Sequence, residues 1–261
     1  MFGYDALDRL VSAKPDPGGA PGWTSVISYF SESYAYDAAG DLLTHTTQVS
    51  GSAVTTFALS YTGVQPHAAS GVNGDPRFWY DANGNMTTRV EVSGTQRITY
   101  TQGWDIDNRL VSVTSTLGPV TRYAYDADGR RVLRTNPDGT KVAYAGDHYA
   151  VQVNTGVATS YYYFGSQRVA VRTGAMLYHL YAYQLGSASL ATSGASTWSE
   201  QRYYPFGQTR WSSGTMPTDH TFTGQRVCRY SNIIEMGARW YSTLQEQYIS
   251  ISSFAPEPIN L

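Results

Sequence analysis

The sequence has few of the residues that mark disulfide scaffolds, membrane spans or nucleic-acid binders. Its 261 residues include one cysteine, Cys228, so no internal disulfide can form, and burial as a small apolar residue is the expected role of that thiol. Lysine occurs twice and the net charge is −2, so no basic patch predicts nucleic acid as a partner. No apolar run approaches the ~20 residues of a membrane span, and the N-terminus has no signal-peptide pattern.

The abundant residues are those of β-sheet proteins. The chain contains 22 tyrosines and 25 glycines, and Thr, Ser and Val are frequent. Aromatic and β-branched side chains fit a pleated surface that is buried on one side, and Gly, Asn and Asp supply turns. The composition therefore predicts an all-β protein.

A short motif, Tyr-Asp-Ala-x-Gly, recurs along the first half of the chain. Its complete copies are Tyr36-Asp37 with Gly40, Tyr80-Asp81 with Gly84, and Tyr125-Asp126 with Gly129, and related copies without the glycine begin at Tyr4 and Trp104. Successive anchors are 32, 44, 24 and 21 residues apart, which indicates a unit of about twenty residues with degenerate copies between. The chain begins within such a motif, so we expect it to be a piece of a longer protein.

Each copy is interpreted as a β-hairpin. Alternating residues before the motif are typical of a strand, Asp opens a tight turn by accepting hydrogen bonds from backbone amides, and Gly supplies the positive φ that ends the turn. A single hairpin cannot bury its apolar face, but a row of hairpins can. We therefore expect successive antiparallel hairpins that form a curved, open sheet, a partial β-spiral with exposed strand edges.

Beyond residue 135 other turn signals separate strand-like runs. Asn136 to Gly139 is one such signal, and only a turn or two near Asn232 to Met236 is expected to be helical. The polar segment from Lys14 to Gly22 is expected to be an excursion between hairpins.

Four motifs follow one another in the C-terminal third. They are Leu185-Gly186-Ser187, then Arg202 to Tyr204 with Pro205, Phe206 and Gly207, then Phe222 to Arg226 with Gly224 and Gln225, then Met236 to Tyr241 with Gly237, Arg239 and Tyr241. With the Tyr-Asp copies, this order resembles the YD repeats and repeat-associated core domain of RHS proteins, over essentially the whole chain.

The resemblance implies a hollow shell of β-hairpins that encloses a C-terminal effector, often a toxin, in a secreted or cell-surface bacterial protein. It divides this chain into YD/RHS repeats at 1–175 and a degenerate core-associated region at 176–261. The implied partners are the remaining shell or an effector, and no cofactor is implied. We expect a structural segment that lacks its effector.

The core-associated region of many family members is an aspartic autoprotease, and this chain departs from that pattern. Where the family places its two acids, ten residues apart, the chain has Ser242 and Ser252. A hydroxyl cannot share a proton as a carboxylate pair does, so we expect no enzyme activity. Arg239 then lacks an anionic neighbour and is expected to face solvent or a backbone carbonyl.

Other chemistries have weaker support. No Gly-x-Ser-x-Gly elbow indicates a hydrolase, no His-x-x-His or Cys-x-x-Cys indicates a metal site, and Asp126-x-Asp128-Gly129 lacks the remaining calcium ligands of an EF-hand. The alternative to the shell is an adhesin-like carbohydrate binder, in which exposed aromatic rings stack on sugars. Its candidate rings are Trp79, Trp104, Trp198, Trp211 and Trp240, for which burial is the default expectation.

Overall fold

The computed structural model describes residues 1–14, 30–49 and 51–251. The predicted excursion from Lys14 to Gly22 therefore lies outside the described residues, apart from Lys14. The chain divides into two compact units, Met1–Phe78 and Trp79–Leu261. The predicted boundary between residues 175 and 176, which separates the YD/RHS repeats from the core-associated region, stays a prediction.

Twenty-five strands account for nearly all of the regular structure among the described residues, and they confirm the all-β prediction. In chain order they are β1 Phe2–Tyr4, β2 Leu10–Ala13, β3 Phe30–Tyr36, β4 Leu42–Val49, β5 Thr55–Ser60, β6 Gly71–Val72, β7 Asp75–Pro76, β8 Phe78–Tyr80, β9 Met86–Ser93, β10 Gln96–Trp104, β11 Leu110–Ser115, β12 Gly118–Tyr125, β13 Arg131–Thr135, β14 Lys141–Ala145, β15 Tyr149–Gln152, β16 Val157–Phe164, β17 Gln167–Thr173, β18 Met176–Ala182, β19 Ala188–Ser193, β20 Ser196–Tyr203, β21 Thr209–Ser213, β22 Arg226–Cys228, β23 Ile233–Met236, β24 Arg239–Ser242 and β25 Gln247–Tyr248.

The strands form three sheets, and within each sheet every strand pairs with its neighbours in sequence. Strands β1 to β7 form a seven-stranded sheet, β8 to β21 a fourteen-stranded sheet, and β22 to β25 a four-stranded sheet, each in chain order. The first and last strands of the large sheet do not pair with each other, so the sheet is open. This is the predicted array of consecutive antiparallel hairpins.

The fourteen-stranded sheet is strongly curved. Glu91 on β9 and Thr209 on β21 line one cavity of about 570 Å³, although twelve strand-to-strand steps separate them. In a flat sheet that many steps would place the two strands roughly 58 Å apart. The sheet must therefore curl so that its two ends approach each other.

The Tyr-Asp copies share one turn geometry. In the copy at Asp126, its amide donates to Arg130 O at 2.9 Å, Gly129 N donates to Asp126 O at 3.1 Å, and Arg130 N donates to the carboxylate at 2.8 Å. Gly129 has φ +77°, a conformation that costs glycine little. The same three bonds form at Asp5, Asp37, Asp81 and Asp105. The two copies without glycine use Asp8 at φ +57° and Asn108 at φ +58°, residue types that tolerate this region.

The same backbone turn recurs where the sequence has no Tyr-Asp pair. At Tyr183, for example, the amide donates to Ser187 O at 2.9 Å and Gly186 N donates to Tyr183 O at 2.8 Å. Equivalent pairs of bonds form at Asn136, Tyr204 and Thr221. The motifs around Gly186, Gly207 and Gly224 are therefore variants of the Tyr-Asp turn, an equivalence that sequence reasoning missed.

In four of the repeats, the aromatic residue before the turn joins its hairpin to the previous hairpin. The Tyr125 hydroxyl donates to Leu110 O at 2.7 Å, and Leu110 is the first residue after the preceding turn. The indole N–H of Trp104 bonds Met86 O in the same way at 2.8 Å. Two further pairs follow the rule, Tyr36 with Leu10 O and Tyr203 with Ala188 O. The repeat therefore needs an aromatic ring that also donates a hydrogen bond.

Two smaller expectations have definite outcomes. The predicted helical turn near Asn232 to Met236 is wrong, because Ile233–Met236 is strand β23 and pairs with both β22 and β24. The helical element among the described residues is a 3₁₀ turn at Phe222–Gly224. A search of the described residues finds no helix that is long and apolar enough to cross a membrane.

Candidate functional site

A C-terminal segment, residues 216–250, packs on one face of the fourteen-stranded sheet and is here called the lid. Met216 joins a buried apolar cluster with Tyr161, Val171 and other residues of strands β16 to β19. At the other end of the lid, the Met86 amide donates to Ile249 O at 2.9 Å. The lid thus contacts strands that are far apart in the sheet order, β9 at one end and β16 to β19 at the other. It covers the face of the curved sheet that these strands share.

Buried aromatic rings hold the middle of the lid. The ring of Trp240, only 3% exposed, packs on Tyr123 at a centroid distance of 5.1 Å. The Tyr123 hydroxyl donates to Cys228 Sγ at 2.8 Å, so the single cysteine is a buried packing residue, as expected. Burial raises the pKa of Tyr123 well above its ordinary value, which keeps this hydroxyl protonated.

A group of buried charges links the lid to strand β13. Arg131 lies 2.9 Å from Glu235, and Arg134 lies 3.2 Å from Asp219. Arg226 lies between the two carboxylates, 3.6 Å from Asp219 and 3.9 Å from Glu235. Burial by itself would raise the pKa of Asp219, but Arg226 and Arg134 outweigh that effect and lower it to about 2. These ion pairs therefore remain charged at neutral pH.

His220 is a neutral member of the same group. Its Nε2 accepts a hydrogen bond from Arg226 Nη2 at 3.0 Å, which leaves Nδ1 to donate to Gly224 O at 3.0 Å. Burial is the largest cause that lowers the pKa of His220, to about 3. The charge of Asp219 opposes this shift, and the charge of Arg226 adds to it. The geometry and the pKa agree that the imidazole is uncharged. Sequence reasoning had no signal for this residue, because its partners come from the fold of the lid.

Ser242, where the family resemblance predicts that an acid has been replaced, is on strand β24. It pairs with Ile233 and Gln247 and is 1% exposed, and its hydroxyl has no hydrogen-bond partner among the described residues. Ser252, at the second such position, lies outside the described residues. A hydroxyl at position 242 offers no carboxylate for acid–base chemistry. Across the described ranges, no group of three or more His, Cys, Asp and Glu side chains could hold a metal ion.

The other motif residues have structural contacts. Gly207 has φ +95°, and a Cβ there would lie 2.6 Å from the ring of Phe222, so any side chain would displace that ring. Tyr241 donates to Phe206 O at 3.1 Å and ties strand β24 to the turn that contains Pro205. Gln225 O accepts a hydrogen bond from the Thr221 amide in the turn that contains Gly224. Gly237 has φ +64° in the turn between Met236 and Arg239, which pair with each other. The Arg239 guanidinium lies 3.5 Å from the centroid of the Tyr248 ring, a cation–π contact that was not expected.

The tryptophans proposed as sugar platforms differ in exposure. Trp240 is buried under the lid, and the indole of Trp104 is committed to its bond with Met86 O. Trp79, Trp198 and Trp211 are each about half exposed, at 46%, 48% and 38%. Trp198 also packs on Tyr178 at a centroid distance of 5.1 Å, and the Arg202 guanidinium carbon lies 4.9 Å from the Trp211 ring centroid, so four of the five candidates have structural contacts.

Comparison with known proteins places the chain among repeat proteins. Residues 104–141 match the family model described as RHS Repeat. The chain is 27% identical over 267 residues to the tRNA3(Ser)-specific nuclease WapA of Bacillus spizizenii, and it has the same identity to the tRNA nuclease WapA of Bacillus subtilis. Each alignment covers 98% of this chain and 10% of the relative, so the chain spans about a tenth of the length of these curated proteins.

Solved structures share the fold at low sequence identity. A chain of the Tc holotoxin pore of Photorhabdus luminescens matches with a TM-score of 0.74 at 18% identity, covering 99% of this chain and 14% of that chain. A chain of the TcdB2-TccC3-Cdc42 crystal structure matches with a TM-score of 0.72 at 18% identity, covering 96% and 14%. Together with the array of Tyr-Asp hairpins, these findings show that the chain contains an RHS repeat at residues 104–141 and has the fold of these solved structures.

Proposed function

We propose that this chain is a structural segment of an RHS-type shell, a delivery scaffold of a toxin-like protein that is secreted or held at the bacterial surface. The observation that carries the proposal is the lid, which is anchored over the inner face of a strongly curved sheet. A sheet that curls and is sealed on its inner side by its own C-terminal segment can act as one wall and the end of a container. The partners would be the rest of the shell and an enclosed C-terminal effector.

In this proposal the chain is not itself an enzyme. The curated relatives are named as nucleases, but the chain corresponds to only 10% of their length. We assign any such activity to an effector segment outside residues 1–261. The buried hydroxyl at Ser242 supports a scaffold that has lost the acid pair of an autoprotease.

We also propose that the repeats and the core-associated region divide near residue 175. The fourteen-stranded sheet continues through this point from β17 to β18, so the division separates a repeat array from the strands that precede the lid. On this view the last four strands of the large sheet and the lid form the closing end of the shell.

The test sets the scaffold against the carbohydrate-binding alternative. The longest natural product that contains this chain is purified from its host, and its co-purifying segments are identified by mass spectrometry. If the chain is a shell scaffold, a C-terminal effector segment should stay bound to the shell even after the chain that joins the segment to the shell is cut. The same preparation is screened on a glycan array. Specific sugar binding at micromolar strength, without a retained segment, would contradict the proposal and favour the adhesin.

A further inference from the structure

The charges beneath the lid do not balance. Arg131, Arg134 and Arg226 face two carboxylates, Asp219 and Glu235, and every one of the five side chains is at most 15% exposed. A buried guanidinium without a matching anion is costly, because burial removes the water that would otherwise solvate it. One further negative charge would balance this group.

A cavity of about 440 Å³ adjoins the excess charge. Arg134 and Asp219 line it, and so does Arg229 of the lid. Arg229 donates through Nη2 to Met216 O and Thr218 O, each at 2.8 Å, so its guanidinium is held in place without a carboxylate partner of its own among the described residues. The cavity wall therefore presents two guanidiniums and a single carboxylate, which Arg134 and Arg226 already share.

Tyr144 adds an unpartnered donor to the same wall. Its ring lies between Arg226 and Arg131, with guanidinium carbons 4.3 Å and 4.9 Å from the ring centroid. The residue is 8% exposed, and its hydroxyl has no hydrogen-bond partner among the described residues. The Nε of Arg134 is likewise buried without a partner in this part of the chain. Buried donors of this kind are normally satisfied, so each indicates an acceptor that belongs there.

We propose that this cavity binds a small oxyanion of the phosphate or sulfate type, held by Arg134, Arg229 and the hydroxyl of Tyr144. Guanidinium groups bind tetrahedral oxyanions through paired N–H donors, and a phenol O–H supplies the third bond. Arg134 and Tyr144 belong to the sheet, whereas Arg229 belongs to the lid. The bound anion would therefore fasten the lid to the sheet.

The proposal is tested by isothermal titration of the full chain with inorganic phosphate and with sulfate, against sodium chloride of equal ionic strength. We expect one saturable site for each oxyanion and none for chloride. Tyr144→Phe keeps the ring between the two arginines and removes only the hydroxyl, and Arg229→Gln removes the lid's cation. Each variant should raise the Kd by about tenfold or more.

Arg172→Gln is the matched control. Arg172 is exposed, and its neighbour Thr173 lines the cavity from the same strand, so Arg172 points to the opposite face of the sheet. This variant should bind both oxyanions as the unchanged chain does. A further titration with glycerol 3-phosphate separates the sources: tighter binding than that of phosphate assigns a phosphomonoester, and equal or weaker binding assigns the free ion.

Two results would overturn the proposal. One is the absence of saturable binding of either oxyanion to the unchanged chain. The other is binding that persists undiminished in both Tyr144→Phe and Arg229→Gln. Circular dichroism of each variant confirms that the fold is intact, and because the two variants alter different elements, the sheet and the lid, either one alone suffices if the other does not fold.

Discussion

Acid should loosen the lid through His220. In the folded chain the imidazole is neutral, because a proton on Nε2 would face the Arg226 guanidinium at 3.0 Å. Burial holds its pKa at about 3, against an ordinary value of 6.5. Below pH 6.5 His220 is therefore protonated when the lid is open but stays neutral when the lid is closed. The closed lid has its full stability above pH 6.5, and it loses stability as the pH falls toward 3.

The size of the effect follows from the two pKa values. At pH 5 the open state is protonated and the closed state is not, which costs the closed lid about 2 kcal/mol relative to pH 7. The charge of Asp219 does not contribute in this window, because its pKa is about 2 in the closed lid and 3.8 ordinarily. The interval from pH 7 to pH 5 therefore isolates His220 from its carboxylate neighbour.

Native-state hydrogen exchange measures this opening locally, which matters because a chain of two compact units need not unfold in one step. The reporters are the amides of Thr221 and Val227, which donate to Gln225 O and Asp219 O within the lid. Their opening free energy, corrected for intrinsic exchange, should fall by about 2 kcal/mol between pH 7 and pH 5. His220→Gln should remove most of this dependence, and His179→Gln, on an exposed position of β18, should leave it unchanged. An equal pH dependence in the unchanged chain and in His220→Gln would refute the reasoning.

Three further outcomes follow from the repeat and the degenerate site. Tyr125→Phe removes the hydrogen bond to Leu110 O and should destabilise the β11–β12 hairpin pair by about 1 kcal/mol, measured by hydrogen exchange. Gly129→Ala places a Cβ at φ +77° and should cost about 1 kcal/mol, measured by the same method. A chain extended past Leu261 by a reporter should remain uncut at mild acid and neutral pH, with or without Ser242→Ala.

Each of these has a control and a contrary outcome. Tyr162→Phe, at an exposed ring, should be neutral, and equal losses for both tyrosines would contradict the anchoring role of Tyr125. Asp8→Gly, at the exposed positive-φ position of the turn at Asp5, should not destabilise, whereas a loss as large as that of Gly129→Ala would show that backbone conformation does not explain the cost. Cutting of the extended chain that Ser242→Ala abolishes would mean that the degenerate site is active.

The local part of the fold could be predicted because its causes are local. Each hairpin contains all the residues that define it: the alternating residues of its strands, an Asp that accepts hydrogen bonds from amides, and a residue at positive φ three positions later. These residues are close in sequence, so a sequence pattern can reveal them. Even for these turns, the sequence motif is not a complete guide to the structure. The turn at Tyr183 has the same backbone bonds as the turn at Asp126 without sharing its aspartate, and Ile233–Met236 is too short for periodicity to separate strand from helix.

The lid could not be predicted because its contacts join distant parts of the chain. Tyr123 meets Cys228 across 105 residues, and Arg134 meets Asp219 across 85. No periodicity or spacing encodes such pairs, since they depend on how far the sheet curls before the lid returns to it. The replacement of an acid by Ser242 stays a prediction from the sequence, whereas the stacking of Arg239 on Tyr248 depends on the β24–β25 hairpin and was not predicted.

The central claim is that the chain forms part of a container closed by its lid, and protease protection tests it most directly. The longest natural product that contains the chain is treated with a broad-specificity protease, and survival of its C-terminal effector segment is followed by mass spectrometry. The account predicts that the segment survives at neutral pH for many times the lifetime of the same segment expressed alone. It also predicts that Asp219→Asn, which weakens the ion pairs of the lid with Arg134 and Arg226, shortens that survival. Digestion at the rate of the free segment would contradict the account.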